Sequence, residues 1–281
     1  MYYLIIAVGI VAASFAAIFI KIADEAPSLI IAAYRLVLAS AIMTPYAYKR
    51  VRKQFHLYTR SSIKWNIISG LCLALHFATW IASLKYTTVA RSVILVATNP
   101  LWVSLLSWIF LKEKVKPMVL GGIVLSLIGT VVMSTGVHSL ESASLTGDIL
   151  ALLGALFAAI YFITGRNLRQ SISATVYSYV TYSIAAVILA GTVLIVGFPL
   201  TGYSTTTYSM FLLLAIVPQI IGHTSFNYAL KYVPAVIVAI AILGEPIISS
   251  VLAWFMLGES VSTRTIYGGV LVLIGVFFAV Y

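Results

Sequence analysis

Charge is scarce in this chain: of 281 residues only 9% are charged and just 7 are Asp or Glu, whereas 62% are hydrophobic. No water-soluble core absorbs that much apolar side chain, so a lipid bilayer must act as the solvent. Cysteine is nearly absent. Cys72 stands alone within an apolar run, which excludes an intrachain disulfide and makes its thiol a small core group. No Gly-Lys dipeptide occurs, and without it there is no phosphate-cradling loop for ATP-driven pumping. Paired acids, metal-spaced histidines and a nucleophile with its base are also missing. His56, His76, His138 and His223 are scattered, and Asp24 and Asp148 fall near the ends of apolar runs. No catalytic residue, metal site or cofactor is expected on that basis, and the chain reads as a non-enzyme.

What is present is a series of long apolar runs. A helix crossing a hydrocarbon core of ~30 Å needs roughly 20 such residues, whereas a membrane barrel shows ~10-residue alternating segments. The runs predict helices over 2-20, 27-48, 65-84, 89-111, 118-136, 147-165, 174-197, 207-230, 233-257 and 265-281. They leave no room for a soluble domain, and the longest connection is 49-64, KRVRKQFHLYTRSSIK. The first run begins at Tyr2 with neither a basic leader nor a small-residue cleavage site, so it reads as a retained helix rather than a cleaved signal.

The 17 Lys and Arg residues are unevenly shared between the two sides. Lys49, Arg50, Arg52, Lys53, Arg60, Lys64, Lys112, Lys114, Lys116, Arg166, Arg169 and Lys231 fall on the side of the amino terminus, against Lys21, Lys85, Arg91 and Arg264 on the other. Basic short loops resist translocation, so the chain is expected in the cell (plasma or inner) membrane with both termini cytoplasmic. The formal charge of +10 is then topological, with anionic lipid as the partner of the 49-64 loop and no role for nucleic acid.

Sliding the chain by 146 residues lays 84-133 on 230-279 without a gap, and seventeen of those fifty positions are identical. Pro100 meets Pro246, Trp108 meets Trp254, Glu113 meets Glu259, and Ile128-Gly129 meets Ile274-Gly275. Apolar composition alone matches Leu with Val or Ile, but it does not bring Pro, Trp and Glu into register. A weaker shift of 145 pairs Gly9 with Gly154 and Lys21 with Arg166. The expected fold is therefore an all-α integral membrane protein whose ten transmembrane helices form two inverted five-helix repeats, 1-136 and 147-281. Five spans per half is odd, so the second half enters the bilayer upside down, and a polar chamber is expected near the midplane between the halves.

Several stretches carry a family likeness: Ser14-Phe15 through Lys21, Pro27 to Tyr34-Arg35-Leu36, Asn99-Pro100 to Glu113, Gly147-Asp148, Ala158-Ala159-Ile160-Tyr161 with Arg166, Glu245-Pro246, and Gly258-Glu259 followed by Gly268 and Gly275. In order and twofold repetition the chain resembles the drug/metabolite transporter superfamily, specifically its ten-helix EamA-type members. It departs at Ala12-Ala13, where many relatives carry Trp-Gly in the first span. The resemblance implies efflux or exchange of small metabolites such as amino acids, nucleosides, sugars or toxic cations. It also implies a central cavity lined by spans 1, 3, 4, 6, 8 and 9, and a structural role for Arg35, because an Arg recurs there across very different substrates.

Polar groups inside a span are costly unless they face a partner or a wet cavity, which makes the few present here candidates. Gln219, His223 and Asn227 recur every four residues in the eighth span and stack on one helical face with Phe226 beside them. That stripe faces a cavity or serves as hydrogen-bonded glue between helices. His76 and Trp80, with Thr79 and Ser83, form a comparable face in the third span. Pro100 and Pro246 each remove a backbone hydrogen bond at equivalent points of two spans, and matched helix breaks point to a transport site. Asn99 and Glu245 precede them, so a single carboxylate breaks the symmetry. Glu245 is the candidate coupling residue, with a proton as the coupling ion. Its structural alternative is a partner for Arg35. Phe15, Trp80, Tyr161 and Phe226 lie mid-span and offer stacking surfaces or ordinary packing.

The candidate substrate-binding set is therefore Phe15, His76, Trp80, Asn99, Tyr161, His223 and Asn227. The expected function is a secondary active exporter or exchanger of small metabolites such as amino acids, working by alternating access as a monomer or weak dimer. A multidrug or organic-cation carrier is the alternative, and a channel a further one.

Overall fold

The computed structural model describes residues 2–86, 92, 95–134, 145–257 and 263–280. Among these residues every regular element is helical. The helices are α1 (Tyr2–Ile22), α2 (Ser28–Gln54), α3 (Arg60–Tyr86), α4 (Asn99–Leu111), α5 (Pro117–Ser134), α6 (Leu145–Leu168), α7 (Ala174–Val196), α8 (Thr205–Ala229), α9 (Ala235–Ile242), α10 (Glu245–Leu257) and α11 (Thr263–Val280). By length and apolarity, seven of the segments can cross a membrane, with α9 and α10 counted as one continuous stretch. Three shorter apolar helices, in α4, α5 and α11, stand at the fourth, fifth and tenth predicted spans. Arg91, His138 and the Gly258-Glu259 pair lie outside the described residues.

One expectation changes. The 49-64 segment, read as the longest connection, is mostly helix: α2 runs on through Lys49, Arg50, Arg52 and Lys53, and α3 starts at Arg60, leaving a short 3-10 turn at Phe55–Leu57. Hydropathy marks where the hydrocarbon ends, not where the helix does. Lys and Arg are good helix formers whose long stems carry the charge into the headgroup layer, so the helix outlasts the apolar window.

Contacts between helix ends sort the molecule into two faces. At one, Ser173 N–H donates to Gln54 Oε1 at 3.1 Å, Arg166 reaches Glu113 at 3.2 Å and the Leu230 carbonyl at 2.8 Å, and Tyr2 stacks on Tyr232. At the other, Lys85 Nζ reaches the Ala26 carbonyl at 3.4 Å and Ser204 N–H donates to Glu25 at 2.7 Å. The cationic cluster of the sequence thus gathers at the first face, with the start of α1.

Inside, α3 packs along α6 and α7, α2 along α7, and α1 along α8 and α10. The α5–α11 pair is closely packed. A Cβ built on Gly129 would lie 2.6 Å from the Gly268 carbonyl oxygen, and one on Gly275 would lie 2.6 Å from that of Gly122. Ser126 Oγ donates across the pair to the Val272 carbonyl at 3.3 Å. Close backbone approach through small residues drives helix association in lipid, where no hydrophobic effect separates helix from tail. Because Gly122 meets Gly275 while Gly129 meets Gly268, the two helices run antiparallel.

Candidate functional site

Both prolines sit at the second residue of a helix that follows a break. The chain turns at Ala97-Thr98 before Asn99-Pro100, with Thr98 N–H donating to the Leu95 carbonyl at 3.2 Å, and turns at Leu243-Gly244 before Glu245-Pro246. Four residues beyond each proline, a serine hydroxyl returns to the proline carbonyl: Ser104 to Pro100 at 2.7 Å, Ser250 to Pro246 at 2.8 Å. The breaks differ in what precedes the proline. Asn99 is buried and its amide donates to the Ala155 carbonyl of α6 at 2.8 Å, whereas Glu245 is only half-buried at the head of α10. Ser14 of α1 donates to the Glu245 carbonyl at 3.4 Å and accepts from Ser249 at 2.9 Å, which ties α1 to that break.

The middle of α8, packed against α1 and α2, is not α-helical. Residues Ala215–His223 wind as a π-helix around Pro218. Proline has no N–H and its ring crowds the preceding turn, and a widened turn accommodates both. The winding sets Gln219 and His223 against α2 and α3. Arg35 of α2 is 1% exposed; its Nε donates to Gln219 Oε1 at 2.7 Å, and its guanidinium lies 4.1 Å above the Phe77 ring. The His223 ring packs edge-on against Phe77 at 5.3 Å. His76 offers Nδ1 to the Gly154 carbonyl at 2.9 Å. A carbonyl only accepts, so that nitrogen carries the proton, and Nε2 of a neutral ring is left as an acceptor. Trp80 stacks parallel to His76 at 5.9 Å.

This cluster is incomplete. Arg35 Nη1, Gln219 Nε2 and His223 Nδ1 are all buried with no hydrogen-bond partner. Among the described residues no carboxylate comes within ion-pair distance of the Arg35 guanidinium. The structural alternative for Glu245, a partner for Arg35, is not formed as an ion pair here; Arg35 bonds Gln219 instead.

A sequence model of the EamA-like transporter family matches residues 1–135 and again residues 145–281. The chain belongs to the EamA-like transporter family. It is 28% identical over 269 residues to an uncharacterized transporter of Archaeoglobus fulgidus, covering 92% of this chain and 90% of that one. An uncharacterized transporter of Clostridium kluyveri is 23% identical over 245 residues, covering 85% and 79%. A solved crystal structure, 18% identical, superposes with a TM-score of 0.82 over 99% of this chain and 96% of its own, a likeness of fold. The protein is thus a multi-pass membrane transporter of the EamA-like family.

Within this EamA-like fold the residues singled out from sequence divide into two groups. His76, Trp80 and His223 come together around Phe77 and Arg35, with Tyr161 6.2 Å from the His223 ring. Asn227 is fully buried and bonded throughout: Tyr161 OH donates to its Oδ1 at 2.6 Å, and its Nδ2 donates to Ser178 Oγ at 2.9 Å and Tyr182 OH at 3.4 Å. Phe15 is half-buried and stacks on Phe19 at 5.6 Å. Sequence reading passed over Pro218, although a proline beside Gln219 in a long span was visible. It also missed Ser178 and Tyr182, polar groups four residues apart in the seventh span. Arg35 was given a structural role alone, and its unpaired nitrogen is what only coordinates reveal.

Proposed function

We propose that this EamA-like protein is a secondary carrier that exports or exchanges small metabolites, amino acids foremost. It would alternate access across the cell membrane between two inverted halves, 1-136 and 147-281, with both termini cytoplasmic. One observation carries the reading: α5 and α11, equivalent under the 146-residue shift, pack antiparallel on each other through their own equivalent glycines. Opposed copies of one bundle provide two half-open forms related by pseudo-symmetry, which is the requirement of alternating access. The matched breaks at Pro100 and Pro246 and the unsatisfied donors between α2 and α8 support a binding chamber between the halves. Glu245, the one carboxylate at a break, is the proposed proton-coupling group.

Purified protein in liposomes tests the carrier. Saturable counterflow of labelled amino acid is the expected result, and an ohmic single-channel current would make it a pore. For coupling, Glu245→Gln should flatten the pH dependence of transport. A variant that keeps the parent's profile at every pH removes Glu245 from that role.

A further inference from the structure

We propose that the corner where α2 passes into α3 is a docking surface for anionic phospholipid, its cations holding the phosphates of the leaflet that this face of the protein meets. This surface is independent of the transported molecule and goes beyond the carrier reading above.

Helix α2 has 27 residues, about 40 Å of helix against a hydrocarbon core of ~30 Å. The excess lies at the Gln54 end, where the apolar run stops at Tyr48. Tyr46 and Tyr48 are exposed there and mark the interface, where amphipathic rings settle. Lys49, Arg50, Arg52 and Lys53 follow within the next turn or so, at the height of the lipid phosphates. After the turn at Phe55–Leu57, α3 carries Arg60 and Lys64 back through the same layer, and all six cationic side chains are exposed. The corner is a rigid part of the fold. Gln54 Oε1 accepts from Ser173 N–H at 3.1 Å, Arg50 Nη1 reaches Thr175 Oγ1 at 3.5 Å, and the Arg50 guanidinium lies 4.4 Å above the Tyr46 ring. The cations are thus fixed beside the first turn of α7, where the two sequence halves meet.

Among the described residues no carboxylate answers this charge: the one at this face, Glu113, is held by Arg166 at 3.2 Å. Lys49 with Lys53, and Arg60 with Lys64, are like charges four residues apart, which repel along a helix. Arg60 opens α3, whose first turn has no acid, so its cation adds to the positive end of the helix instead of offsetting it. A fold accepts these costs where an anion from outside is always at hand. Phospholipid fits better than a soluble anion on two grounds. The cations sit on the flanks of helices that cross the headgroup layer, so their neighbours are headgroups. Phe55, Leu57 and Ile63 are exposed at the same corner, and this apolar area is covered by the lipid boundary but not by inorganic phosphate.

The test is thermal unfolding of the full chain, purified in neutral detergent and titrated with phosphatidylglycerol, phosphatidylcholine or inorganic phosphate, since a ligand that binds the folded state raises Tm by mass action. Phosphatidylglycerol should raise Tm by several degrees, and the other two should not. Each neutralised cation should weaken the response roughly fivefold, so Lys49→Gln/Arg52→Gln/Lys53→Gln should need roughly a hundredfold more phosphatidylglycerol. Its lipid-free Tm should stay the same or rise, because the repulsion is relieved. Arg60→Gln/Lys64→Gln tests the other helix and guards against the first variant failing to fold; it should need roughly twentyfold more lipid. Lys112→Gln/Lys114→Gln/Lys116→Gln removes three cations at the same face, beside Glu113, and should keep the parent's response. Equal stabilisation by phosphatidylcholine or by inorganic phosphate overturns the proposal. So does a parent-like response in both corner variants, or an equal loss in the variant at 112, 114 and 116, which would make the effect one of net charge alone.

Discussion

Two polar clusters on α8, less than three turns apart, are built in opposite ways. Around Asn227 every polar atom is matched: Tyr161, Ser178 and Tyr182 from α6 and α7 close the amide on both sides, and Arg169 Nε takes the Asn227 carbonyl at 2.8 Å. Around Gln219 and His223 three buried nitrogens, Arg35 Nη1, Gln219 Nε2 and His223 Nδ1, have no partner. The first cluster is complete in the protein alone and so belongs to folding. The second leaves buried nitrogens unmatched, and it is the cluster proposed for binding. Residue type does not separate them, since both are made of an amide with hydroxyl or imidazole neighbours. Satisfaction does.

Breaking the closed cluster should give the largest effect. Asn227→Leu strands the Tyr161 and Ser178 hydroxyls in a dry interior and is expected to cost about 2 kcal/mol of stability, at the upper end for hydrogen bonds between membrane helices. Thermal unfolding in detergent reads this as a Tm several degrees lower, and an unchanged Tm would show that the network holds nothing.

Next comes Pro218→Ala, which restores an N–H and removes the reason for the π-winding that carries Gln219 and His223. Return to α-helical winding rotates Gln219 and His223 relative to Asn227. Stability should stay the same or rise while amino-acid affinity falls about tenfold, a difference of about 1.4 kcal/mol. Retention of full affinity would mean that the widened turn does not position the site.

The smallest effect concerns the exposed entrance of α8, where hydrogen bonds from the Thr207 side chain and from Ser204 hold the Glu25 carboxyl below the usual carboxylate range. A lowered folded pKa means that the stabilisation is present above the unfolded value, about 4.3, and is lost as pH falls through the folded one. Glu25→Gln should abolish that small acid-side loss in Tm while leaving the neutral-pH ligand response untouched. An unchanged acid limb of the Tm profile would exclude Glu25 as its source.

Much of the frame was legible in the sequence because lipid makes it so: an apolar run of about 20 residues has few options, and the helices found follow the predicted spans closely. The helical continuation through Lys49 to Lys53 was not, since hydropathy reports on hydrocarbon rather than on hydrogen bonding. Pro100 and Pro246 were visible as a repeated pair, and both stand at real breaks. The four-residue stripe of Gln219, His223 and Asn227 was visible too, but α-helical spacing made it a single face. The π-turn at Pro218 divides it into two clusters with different neighbours. Whether an amide is bonded or waiting depends on groups from α2, α6 and α7 that are distant in sequence, and no local pattern in α8 records them.

The most direct measurement places His223→Phe and Asn227→Leu side by side, recording for each the Tm without ligand and the rise in Tm with the best-stabilising amino acid. His223→Phe should keep the unliganded Tm, or raise it slightly by removing a buried unpaired nitrogen, and lose the ligand-induced rise; Asn227→Leu should lower the unliganded Tm and keep the rise. If the two variants exchange these behaviours, or respond alike, the separation of a folding cluster from a binding cluster on α8 is contradicted.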